Sequence, residues 1–151
     1  MMASPAPAPL APRSAPAPVT CTLLAQSQVS SALEVQSLPG KHAVASSSAN
    51  CIWSDDPNQG LDNRRLTLSI TSVTGFNFGK ANTRMTTEPV TGIGDDAYYQ
   101  VFRADSPSLS VKKGSVAFVI RILNGLKAKP FSIATVKTKE ADLAKAVAAK
   151  L

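Results

Sequence analysis

The chain has 151 residues, with 16 Lys/Arg against 10 Asp/Glu and a formal charge of +6. That length suggests one domain, and no run approaches the ~20 apolar residues that a membrane-spanning helix needs. The charge is uneven: ten Lys/Arg face three Asp/Glu from position 102 onward, whereas residues 1–101 hold six basic against seven acidic side chains. No aromatics interleave with the basic residues and no nucleic-acid module is recognisable, so a nucleic-acid partner is excluded; a basic C-terminal third could attract anionic surfaces, but the plainer reading is solvated lysines on the outer faces of strands and a helix.

Residues 1–20 carry six of the eleven prolines in an Ala/Pro alternation. Proline removes backbone donors and alanine buries little, so this stretch is expected to be an extended tether ahead of a single α+β domain at 21–151. It lacks the apolar core of a signal peptide, and the expectation is that a signal preceded the tether and was removed. The two cysteines, Cys21 and Cys51, suit a disulfide, with two buried free thiols as the alternative.

Along the domain, Ala25, Val29, Ala32 and Leu33 share a stripe and predict a helix over 25–33. Leu38-Pro39-Gly40 breaks it. A weak strand follows at 41–46, then a polar turn and a short strand at 51–54. The Asp/Asn/Pro/Gly-rich segment 55–63 is a loop. At 65–74, Leu66, Leu68 and Ile70 alternate with Thr67, Ser69 and Thr71, the pattern of a half-buried strand. A short helix is expected around 79–85, with Phe76 and Phe78 packed on the sheet, and turns at 88–96. Strands follow at 97–102, 108–113 and 116–123, the last two joined by a Lys113-Gly114-Ser115 turn. After a loop at 124–133, Val136, Glu140, Leu143, Ala144, Val147, Ala148 and Leu151 form one mostly apolar face of a terminal helix from 135 onward. There Glu140 and Asp142 early and Lys150 late suit the helix dipole.

The fold expected is therefore an antiparallel sheet flanked by an N-terminal and a C-terminal helix, on one face or at opposite sides. Gly92-Ile93-Gly94-Asp95-Asp96-Ala97 matches G-x-G-x-x-A by letters only, since a strand rather than a helix follows it. A turn with positive-φ glycines and capping aspartates is the plainer reading. Gly75–Ala81 is a failed phosphate loop, and Ser110-x-x-Lys113 lacks the further motifs of a serine enzyme. His42, the only histidine, reads as a surface strand residue. Asp55, Asp56, Asn58 and Asp62 miss calcium-loop spacing. No metal or other cofactor is expected.

The stretches CTLLAQSQVSSAL from Cys21, CIW at Cys51, VTGIGDDAYY from Val90, LSVKKGSVAFVIRI from Leu109 and the terminal ADLAKAVAAKL together resemble a group of small secreted or lipid-anchored bacterial proteins of unknown function. The group is met in actinobacterial lipoproteins and proteobacterial relatives. The resemblance spans Cys21 to Leu151. It implies export to the periplasm or beyond, a Cys21–Cys51 bridge and a Mog1/PsbP-like sandwich, and it brings no catalytic residues. The chain departs from the group at Ala25 and Gln28, which removes a capping box from the first helix. Pro-rich residues stand where a lipobox would precede Cys21, so that cysteine is not read as lipidated.

The expected function is non-catalytic binding of a protein, an envelope component or a small ligand by a monomer. Trp53, Gly92, Gly94, Asp95, Asp96, Tyr98 and Tyr99 are the candidate ligand-binding residues, because aromatics dominate recognition surfaces, although core packing is the plainer reading of Trp53, Tyr98 and Tyr99 in a small α+β domain. For Tyr98 and Tyr99 on a strand, one is expected inside and one outside. The alternatives are a structural accessory subunit of an envelope complex, or a hydrolase using Asp95 and Asp96.

Overall fold

The computed structural model describes residues 20–42, 49–58, 60–101 and 107–151. In chain order, a 3-10 turn at Thr20–Thr22 leads to helix α1 (Gln26–Leu33), strands β1 (Asn50–Ser54) and β2 (Arg65–Ser72), and helix α2 (Val73–Lys80). Strands β3 (Thr86–Val90), β4 (Asp96–Val101), β5 (Ser108–Lys113) and β6 (Val116–Leu123) precede helix α3 (Ile133–Ala148). The strands form one sheet in the order β1-β2-β6-β5-β4-β3, antiparallel at every pairing. The chain leaves β2 through α2 to the far edge, then meanders back until β6 lies beside β2. Residues 1–19 of the tether expected at 1–20, most of the weak strand at 41–46, and Phe102 lie outside the described residues; Thr20 is buried in the 3-10 turn, and Lys41 bridges to Ile52.

Side chains directly opposite one another across antiparallel strands share a face. Cys51, Leu68, Ile120, Leu109 and Tyr99 therefore make one row across the sheet, and Ile70, Phe118, Val111, Ala97 and Val90 another. Both rows belong to one apolar cluster with Val29 and Leu33 of α1 and Val136, Leu143, Ala144 and Val147 of α3. Each large aliphatic side chain buried there contributes about 1.5–3 kcal/mol. The N- and C-terminal helices thus lie on the same face and touch each other, with Lys139 paired to Glu34 at 3.2 Å across them.

The opposite face is flanked by α2, which occupies the expected strand end at 73–74 and stands earlier in the chain than the short helix expected around 79–85. The helix begins as β2 ends: the Ser72 hydroxyl accepts the Gly75 N–H at 2.9 Å. Phe76 then packs on Tyr98 with ring centroids 4.9 Å apart, and Ala117 completes a second small cluster. Two glycines make α2 a poor helix by propensity, so burial of Phe76 decides it. Phe78 faces solvent instead of the sheet.

The expected turns at 88–96 contain β3, an edge strand that exists through its pairing with β4. Pro89 and Glu88 on this five-residue strand discourage edge-to-edge pairing. The other edge, β1, is covered by the preceding segment, where Leu38 N–H donates to Ser54 O at 2.8 Å and Lys41 and Ile52 exchange backbone bonds. The disulfide is present: Cys21 and Cys51, with Cα atoms 5.2 Å apart, fasten the N-terminal turn to this edge. Half of a capping box survives on α1, because Gln28 Oε1 accepts the Ala25 N–H at 2.8 Å while an alanine methyl has nothing to return.

On α3, Ser132 caps the N-terminus by accepting the Thr135 N–H at 3.1 Å, and the buried positions are those that the periodicity picks out. Glu140 is the exception in role. It lies mid-helix, is fully buried, and accepts the Ile122 N–H through Oε2 at 2.8 Å. It satisfies a backbone donor of β6 rather than the helix dipole.

Candidate functional site

The sequence-predicted site residues do not converge. Trp53 is buried in the core beneath Gly40, where a Cβ would stand only 2.6 Å from the indole nitrogen. It lies on β1, and β4 is four strands away. Tyr98 and Tyr99 point to opposite faces, yet both are buried, because α2 covers one face at β4 and α3 the other. The Tyr98 hydroxyl donates to Phe76 O at 3.0 Å and the Tyr99 hydroxyl to Lys137 O at 2.6 Å. Burial pushes the Tyr99 phenol up to about 12, so it stays a donor.

Gly92 and Gly94 have φ of 86° and 58°, and Gly94 sits where a Cβ would meet Lys112 O at 2.6 Å. This turn is stitched to the β5–β6 hairpin: Asp95 N–H donates to Lys112 O at 2.8 Å, and Asp95 Oδ2 accepts the Gly114 N–H at 2.7 Å. Asp96 instead binds Lys80 at 2.6 Å, and that hydrogen bond holds its carboxyl below the usual range. The two aspartates are thus engaged by different partners.

A cleft of about 320 Å³ lies beside the turn, lined by Gly92, Asp95, Lys113, Lys145 and Ala148 among others. The C-terminus of α3 points carbonyls at it, Lys113 Nζ donates to one of them, Ala148 O, and cations at a helix C-terminus answer its dipole. The charges here serve the fold. His42 is half-buried rather than a surface residue, with Nδ1 3.0 Å from Asn50 O. Asp56 accepts the N–H groups of Asn58 and Gly60 at 2.9 and 3.0 Å, and among the described residues no cluster of three His, Cys, Asp or Glu side chains could hold a metal ion.

A different feature emerges where the β1–β2 and β6–α3 loops meet. Leu61 is 58% exposed and Leu126 77%. Both belong to segments that read as plain loops, and the only local signal is a leucine set directly after a glycine among polar residues. The two loops are bonded together: Leu126 N–H donates to Leu61 O at 2.9 Å and Lys127 N–H to Asp62 O at 3.0 Å. Gly125 permits this approach, because a Cβ there would lie 2.2 Å from Asp62 O.

Further bonds stiffen the tip. Asn124 Oδ1 accepts the Phe131 N–H at 3.0 Å and closes the loop. Arg64 lies 4.0 Å over the Phe131 ring and donates to Leu33 O and Lys129 O. The leucines are exposed on a braced structure. Gly125→Ala is expected to force the loops apart at about 1–3 kcal/mol, read as a lower urea midpoint with increased hydrogen exchange at Leu126 and Lys127. An unchanged midpoint would show that the loops separate without cost.

The chain matches no protein-family profile, no characterised protein and no solved structure.

Proposed function

We propose that the protein is an exported, non-catalytic binding domain, of the small bacterial class that its motifs resemble and with that class's Mog1/PsbP-like sandwich. It acts as a monomer in the periplasm or outside the cell, without a cofactor, and engages its partner through the Leu61–Leu126 tip. The observation that carries this reading is the pair of exposed leucines on mutually hydrogen-bonded loops. A braced loop has little freedom left to lose on binding, so apolar area covered there goes into affinity rather than ordering. Export is supported by the Cys21–Cys51 bridge, since disulfides persist in oxidising compartments. Among the described residues no helix is long and apolar enough to cross a membrane.

Native mass spectrometry against a cell-envelope extract tests the reading. The wild-type protein is expected to carry an adduct that the Leu61→Ser/Leu126→Ser variant lacks while keeping its thermal midpoint. The same adduct on both proteins would remove the tip from the binding surface.

A further inference from the structure

The chemistry of the tip narrows the partner, and we infer that it docks on an anionic phospholipid surface; this rests on the binding-domain reading above. The exposed apolar groups at the tip are aliphatic and stand on loops. Protein recognition sites are enriched in Trp, Tyr and Arg seated in pockets, and leucine is under-represented among them. A lipid interface asks for less: apolar side chains that reach below the headgroups, with cations beside them.

The cations are in place. Lys127 and Lys129 follow Leu126 in a loop with no acidic residue between 124 and 131. Three acids stand on the neighbouring loop: Asp62 faces Lys127 at 3.5 Å, Asp56 is turned to the backbone of its own turn, and Asp55 has one carboxylate oxygen buried. The formal charge of +6 adds long-range attraction to an anionic surface. Neither contribution suffices alone, because weak apolar insertion becomes stable only when a basic patch supplements it. The association is therefore peripheral and reversible, and it weakens with salt.

The full chain is sedimented with phosphatidylglycerol-containing vesicles and with pure phosphatidylcholine vesicles, at low and physiological ionic strength. Binding to the anionic vesicles is expected to exceed binding to the neutral ones and to fall with salt. Leu61→Ser/Leu126→Ser should weaken it by about tenfold or more. Lys127→Ala/Lys129→Ala should weaken it and flatten the salt dependence. All these positions are exposed, and matching thermal midpoints confirm that the variants fold. Equal binding to both vesicle types, no binding, or a leucine variant that binds like wild type would each overturn the inference. If vesicles fail while a tip-dependent adduct from envelope extract persists, the lipid assignment falls and the binding-domain reading stands.

Discussion

Cys21→Ala/Cys51→Ala is expected to lower the unfolding free energy by about 3–4 kcal/mol, the loop-closure entropy for cysteines 30 residues apart. For a domain near 130 residues this corresponds to a fall in thermal midpoint of roughly 10 °C. The reason is local. Helix α1 has eight residues, too few to persist alone in water, and it stays folded only by pressing Val29 and Leu33 onto the sheet. The bridge holds the N-terminal segment at the β1 edge, where Cys51 is fully buried opposite Leu68. Urea unfolding of the oxidised protein and the double variant measures the difference. A loss below about 1 kcal/mol would mean that the N-terminal segment opens independently of the sheet.

Glu140 should make stability fall as pH rises. Burial raises its carboxyl from 4.5 to about 8, outweighing the Ile122 N–H bond and the attraction of Arg121 and Lys137, which all favour the ionised form. The folded chain therefore holds a proton that the unfolded chain has released. The contribution is fully present below pH 4.5, erodes through the window up to about 8, and is then gone. By pH 7 the loss is about 3 kcal/mol, at ~1.4 kcal/mol per pH unit.

Glu140→Gln keeps an acceptor for the Ile122 N–H and cannot ionise. Its stability relative to wild type is expected to climb steadily from pH 4.5 to 8 and to level off beyond. Taking the difference between the two proteins cancels every group they share, including the Lys80–Asp96 pair. Parallel stability curves across that range would show that Glu140 is solvated and titrates normally. Glu140→Leu, by contrast, leaves the Ile122 N–H buried without a partner.

Much of the sheet was legible because strand periodicity is a local property. Leu66, Leu68 and Ile70 alternate on β2, as do Phe118, Ile120 and Ile122 on β6, and all of them lie on the α1/α3 side. Helix α3 was legible for the same reason, down to Glu140 on its apolar face. Helix α2 and strand β3 were not. Val73–Lys80 holds two glycines and one buried phenylalanine, and it is helical because Phe76 finds Tyr98 and Ala117, residues 22 and 41 positions away in the chain. Thr86–Val90 contains a proline and little apolar alternation, and it is a strand because β4 leaves an unpaired edge.

The candidate site fared differently from the fold. Trp53, Tyr98 and Tyr99 carry recognition chemistry in their side chains, but composition does not say which side of the sheet will be covered. Once α2 and α3 occupy both faces of β4, neither tyrosine is left to meet a partner. Leu61 and Leu126 carry no such chemistry on their own. They acquire significance through exposure and proximity, and neither quantity exists in one dimension.

By itself, then, the sequence determined the α+β class, the apolar faces of β2, β6 and α3, the turn at Gly92 and Gly94 and the availability of one cysteine pair. Each of these depends on residues within a few positions of one another or on simple counts. Only the tertiary structure decided that the terminal helices share a face, that a third helix takes the other, that the aromatics are core and that two leucines stand together in solvent. Those outcomes depend on which distant segments cover one another, and burial energy settles that over the whole chain at once.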